Sequence, residues 1–110
     1  MKYISTRGGG TPQSFEQVLL TGLAPDGGLY VPVELPLFDS EKIASWRDLS
    51  YVDLALEVIS PFVGDALHPA ELKRIIIESY SGFGHPEVAP LTALRENEYL
   101  LELYQLQVYQ

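Results

Sequence analysis

Cysteine is absent from the chain, which removes disulfides, thiolate nucleophiles and cysteine-ligated zinc together. Basic residues are scarce, seven against fifteen acidic ones, for a formal net charge of −8. Phosphate backbones repel such a chain, so no nucleic-acid partner is expected. Long apolar runs are also missing: no window approaches the roughly 18 apolar residues of a membrane span. The opening MKYISTRGGG lacks the apolar stretch of a signal peptide, so a cytoplasmic protein with no membrane partner is expected. Histidine occurs twice, as His68 and His85, each before a proline and neither at a metal-ligand spacing from a second donor. No metal site is expected from them.

What is present suits a folded domain. Apolar residues make up 46% and charged residues 20% of 110 positions, room for one domain with a real core. Tyr3 and Ile4 predict a short strand, and Gly8, Gly9, Gly10, Thr11 and Pro12 read as a flexible break. Ser14 with Gln17 three residues on forms a capping box that opens a helix. Phe15, Val18 and Leu19 share one face of it, and Gly22 supplies the stop. Pro25-Asp26-Gly27-Gly28 is a turn signal, because glycine accepts positive φ without steric cost. Leu29, Tyr30 and Val31 follow as a strand that Pro32 and Pro36 keep from being central.

Three further helices are expected. Asp39 or Ser40 caps one that runs to Trp46. Ser50 caps a longer, largely apolar one that Pro61 ends. Pro69 stands at the first position of the last, where Leu72, Ile75, Ile76 and Tyr80 form the inward stripe. Residues 81–86 break the pattern, and residues 88–94 and 99–103 read as strands of a hairpin joined by Arg95, Glu96 and Asn97. The class expected is α+β, a single small domain, mostly helical, with one small sheet formed by the N-terminal and C-terminal strands. Its core is expected to include Phe15, Val18, Leu19, Leu29, Leu54, Val58, Ile59, Leu72, Ile75, Ile76 and Leu101.

Few residues offer chemistry. The glycine run lacks the following lysine and the helix start of a phosphate loop. Arg7 beside Ser5 and Thr6 is the better anion-binding candidate, since a guanidinium and hydroxyls suit phosphate oxygens. Asp26 reads as turn chemistry. A lysine that forms a Schiff base must sit desolvated to lose its proton near neutral pH. Lys2 lies near the terminus, Lys42 beside Glu41, and Lys73 between Leu72 and Arg74 on a solvated face, so none qualifies. No catalytic residue and no carboxylate dyad emerge.

Six segments stand in a telling order: YISTRG, SFEQVLLTGLAPDGGLYVP, LPLF, YVDLALEVISPFVGD, HPAELKRII and LLELY. Over residues 1–104 the chain thereby resembles the N-terminal domain of bacterial and fungal threonine synthases. The stretch from Leu20 to Pro32, a glycine-leucine pair followed by a DGGL turn and a short strand, is the most specific part. The resemblance implies a pyridoxal-phosphate enzyme of fold type II, a carbon-oxygen lyase of amino-acid biosynthesis acting on a phosphate ester. Such enzymes turn O-phospho-L-homoserine and water into L-threonine and phosphate. By the same resemblance the cofactor lysine falls two positions beyond Gln110, after a His-Gly-Pro-Thr motif that Gln105, Leu106, Gln107 and Val108 replace here.

The implied picture is an accessory domain, inactive alone, whose partners are the cofactor-binding lobes of the same enzyme. Pyridoxal phosphate belongs to the full-length parent, and none is expected on this chain. Ser5, Thr6 and Arg7 are the residues expected to approach substrate. Residues 105–110 are read as a divergent tail, whether frameshifted, cloning-derived or natural. An alternative reading is an interaction module that self-associates through the C-terminal strand, because residues 104–110 alternate apolar and polar and a free strand edge invites pairing.

Overall fold

In the computed structural model of the chain, which describes residues 1–82 and 89–103, the helix caps fall where the polar residues predict them. Ser14 opens α1 (Phe15–Thr21). Its Oγ accepts from the Gln17 N–H at 3.3 Å, and Gln17 Oε1 accepts from the Ser14 N–H at 2.8 Å. Each side chain satisfies a donor the helix leaves open. Gly22, at φ 73°, ends the helix and donates to Val18 O. Asp39 caps α2 (Ser40–Ser45), and Ser50 caps α3 (Tyr51–Val63). Pro69 starts α4 (Pro69–Ser81), at a position whose N–H has no helical partner to lose.

Pro61 does not end α3; the helix runs two residues past it to Val63 and is capped by Gly64 at φ 60°. Proline's fixed φ is helical, and the ring forfeits one bond, to the carbonyl of Glu57. So close to the end, a single lost bond is tolerated. A 3₁₀ turn at Gly64–Ala66 follows.

β1 (Lys2–Ser5) lies between β2 (Gln13–Ser14) and β3 (Tyr30–Pro32), antiparallel to both. Tyr3 faces Pro32, Ile4 faces Val31 and Ser5 faces Tyr30. Tyr3 and Ser5 are buried while Ile4 and Val31 are exposed, the period-two pattern of a sheet with one covered face. Two more bonds extend the ladder, Thr6 N–H to Leu29 O and Val33 N–H to Lys2 O, each 2.8 Å. Since backbone groups alternate along a strand, the nitrogen of Pro32 falls on the free edge, where its missing hydrogen breaks no bond.

β4 (Leu91–Arg95) and β5 (Glu98–Leu101) form a hairpin that turns at Glu96 and Asn97, with Asn97 at φ 60°. The α+β class therefore stands, with the strands divided between two antiparallel sheets rather than gathered into one. Short sequence separation explains the division, because each strand pairs with partners a few residues to about thirty away. The chain separates into two compact units, Met1–Ile76 and Ile77–Gln110. No helix among the described residues is long and apolar enough to cross a membrane.

Tyr3, Ala24, Ala55, Val63, Leu72 and Ile76 form the buried core. The Tyr3 ring tilts against Phe15 with centroids 6.2 Å apart, and its hydroxyl donates to Phe62 O. Burial pushes that phenol above its ordinary range. Phe15, Val18, Leu54, Val58 and Ile59 are half-buried. Four residues expected inside lie outside: Leu19 is 67% exposed, Leu29 61%, Leu101 48% and Ile75 37%. β1 covers the Phe15 end of α1 and leaves Leu19, one turn on, and Leu20 open. Leu29 stands just before β3, outside the covered part of the sheet, and Leu101 ends a strand whose residues are all exposed.

Candidate functional site

The end of β1 and the turn over residues 24–28 meet at a corner organised by one carboxylate. Asp26 Oδ1 accepts from Ser5 Oγ at 2.7 Å and from the Gly28 N–H at 2.9 Å, and Oδ2 accepts from the Gly9 N–H at 2.9 Å. Ser5 Oγ in turn accepts from the Arg7 N–H at 3.1 Å. Arg7 Nη1 donates to the backbone oxygen of Asp26 at 3.0 Å. Thr6 Oγ1 accepts from the Leu29 N–H at 3.0 Å. The Ser5 hydroxyl, then the Gly28 and Gly9 amides and the charge of Arg7, hold the Asp26 carboxyl below the ordinary aspartate value against the opposing effect of desolvation.

Two glycines of the turn and one of the loop stand in close approach to the side chains of the corner. A Cβ on Gly28 would stand 2.2 Å from Ser5 Oγ, one on Gly9 2.4 Å from Asp26 Oδ2, and one on Gly27 2.8 Å from Arg7 Nη1. Gly27 also sits at φ 80°, where other residues are strained. The glycine run is thus not a slack connector: Gly9 is fastened to a residue seventeen positions away. A cleft of about 190 Å³ opens beside the corner between Gly9, Thr11, Gln13, Pro25, Asp26 and Tyr30.

The structure brings Ser5, Thr6 and Arg7 together, and adds Asp26 as the residue that ties them. Ser5 is 4% exposed with its hydroxyl on Asp26; Thr6 is exposed with its hydroxyl on the Leu29 N–H, and the Arg7 side chain also lies on the surface. Sequence reading gave Asp26 to the turn, which it serves, and missed its bond to Ser5. Nothing local signals a contact across twenty-one positions. His68 precedes α4, and its Nδ1 accepts from the Ala70 N–H at 3.2 Å, a capping contact. His85 lies outside the described residues, as do residues 104–110 with the tail strand. Among the described residues no three histidine or acidic groups are placed to hold a metal.

All three lysines are solvated. Lys42 pairs with Glu57 at 2.5 Å and Lys73 with Asp53 at 2.7 Å, with side chains 48% and 45% exposed. Lys2 is likewise exposed.

Comparisons with known proteins bear on the family and fold of the chain. The family model described as threonine synthase N terminus matches residues 2–80. The threonine synthase of Pseudomonas aeruginosa is 53% identical over 104 residues, covering 94% of this chain and 22% of that protein. That of Schizosaccharomyces pombe is 43% identical over 105 residues, covering 94% and 20%. A crystal structure of pyridoxal-phosphate-bound threonine synthase from Brucella melitensis superposes with a TM-score of 0.86 at 46% identity, covering 96% of this chain and 23% of that one. The chain spans about a fifth of the length of these relatives. The cofactor of the Brucella protein does not fit the residues present here, because a lysine that holds it must be desolvated and none of the three is. On the match over residues 2–80 and the identity to full-length relatives, the chain belongs to the threonine synthase N-terminus family.

Proposed function

We propose that the chain serves as the N-terminal accessory domain of a threonine synthase, an enzyme that converts O-phospho-L-homoserine and water to L-threonine and phosphate in the cytoplasm. It is inactive by itself, and the pyridoxal phosphate is held by lobes that lie outside it. The observation that carries this reading is the coverage, 94% of this chain against 22% of the Pseudomonas enzyme at 53% identity. The exposure of every lysine supports the inactivity of the chain alone.

Within that reading Arg7 is the group that meets substrate. Ser5 and Thr6 are engaged in the corner, and one Arg7 N–H is anchored on Asp26 O at 3.0 Å. Among the described residues nothing else engages the guanidinium, which can take a phosphate or carboxylate oxygen.

The test is a chimera in which this chain's matched residues replace the corresponding segment of the Pseudomonas aeruginosa enzyme. It is expected to form threonine, while the 110-residue chain mixed with pyridoxal phosphate forms none and shows no lysine-dependent absorbance band. A chimera that binds cofactor but yields no threonine, or an active isolated chain, overturns the reading. Arg7→Ala in the chimera is expected to raise KM for O-phospho-L-homoserine about tenfold, the loss of one charge-assisted hydrogen bond. Unchanged KM and turnover would remove Arg7 from the cleft.

A further inference from the structure

α1 carries a broad apolar face, Phe15, Val18, Leu19 and Leu20, of which only part is covered. Phe15 and Val18 are half-buried, with the Phe15 ring against Tyr3 of β1. Leu19, one turn on from Phe15, is nonetheless 67% exposed, Leu20 is 81% exposed, and Leu23, just past the Gly22 cap, is 65% exposed. Gln17 and Thr21 hold the opposite, polar side of the helix. Surface helices of this chain look different: α2, α3 and α4 carry the pairs Lys42–Glu57, Lys73–Asp53 and Arg74–Glu71. Between Arg7 and Asp26, by contrast, Glu16 is the only charged residue. Three exposed leucines with a single charge, Glu16, beside them mark a surface built to be covered.

We infer that Leu19, Leu20 and Leu23 form the seat on which the cofactor-bearing remainder of a threonine synthase docks against this domain. The occupant follows from length. The matched relatives hold most of their chain outside the segment this protein spans, 22% of the Pseudomonas enzyme and 23% of the Brucella chain being covered. That remainder is covalently continuous with the domain in those relatives, so its effective concentration at the leucines exceeds that of any separate partner. The inference rests on the accessory-domain reading and adds to it which face makes the joint.

Because the chain has no cysteine, Leu20→Cys provides a single reporter. N-ethylmaleimide labelling of that position, read by peptide mass, is compared between the 110-residue chain and the Pseudomonas chimera. The expected result is fast labelling in the chain at every concentration and at least tenfold slower labelling in the chimera, restored in urea. Equal labelling in both overturns the docking face. So does protection in the isolated chain that grows with its concentration, which would assign the leucines to a second copy. Should the cysteine variant of the chimera fail to assemble, Leu20→Asp reads the same face by melting. Tm is expected to hold in the chain, where the side chain is exposed, and to fall by several degrees in the chimera; an equal response in both contexts sinks the inference. Threonine formation by the unmutated chimera separates the two proposals. An active chimera whose residue 20 labels freely ends only the docking face, whereas a chimera that binds cofactor but forms no threonine ends the accessory-domain reading.

Discussion

Asp26 contributes as an anion. Its three hydrogen-bond donors and the nearby Arg7 depress its folded-state pKa. Asp53 is lowered in the same direction by the hydrogen bond from Lys73 and then that from Ser50, and Glu57 by the hydrogen bond and charge of Lys42. A carboxylate whose pKa is lower folded than unfolded stabilises the fold fully above its unfolded pKa, and that stability is lost as pH falls through the folded value. Thermal melts should therefore be flat from about pH 5 to about pH 9 and decline below about pH 4. Asp26→Asn should melt lower than the parent at neutral pH and show a shallower acid decline; an unchanged slope would exclude Asp26 from the linkage. Gly28→Ala offers a second reading of the same corner. The new methyl would meet Ser5 Oγ, and such overpacking is expected to destabilise by about 1–3 kcal/mol in urea denaturation. If Gly28→Ala unfolds at the parent's urea midpoint, the corner is looser than its distances indicate.

At the scale of elements, the capping box of α1 is the most local device in the chain and the simplest to test. Ser14→Ala leaves the Gln17 N–H without its acceptor and should lower stability by about 1 kcal/mol, measured by urea denaturation. Devices of this kind were legible in the sequence, since Ser14 and Gln17, Asp39, and Ser50 with Asp53 act over three residues. Pro61 misled, because a proline near a helix end and a proline that ends the helix look alike until the last turn is seen. β2 gave no signal: Gln13 and Ser14 carry neither apolar alternation nor β-branching, and they pair only because β1 lies beside them. The Ser5–Asp26 bond was illegible for a related reason, as it depends on where two turns arrive.

For the molecule as a whole, the core was read from the assumption that every apolar face is buried within the chain. Leu72 and Ile76 satisfy it; Leu19 and Leu29 do not. In a domain that fills a fifth of its relatives' length, periodicity marks what will be buried without saying by which part of the protein. The hairpin of β4 and β5 has all nine strand residues exposed, and a two-stranded hairpin is marginal in water unless something packs on it. Its amides are expected to exchange with solvent well before those of β1 and α3 when the isolated chain is followed by hydrogen-exchange NMR. Equal protection across all three would mean that the hairpin shares in global unfolding.

The proline on the outer rim of the N-terminal sheet sets how other chains can approach it. A strand arriving along that rim would need a donor at position 32 and find a ring carbon instead, so main-chain pairing stalls after a residue or two. Growth of this sheet into fibrils or swapped oligomers is thereby blocked on that side, and whatever joins the domain there has to be recognised by its side chains.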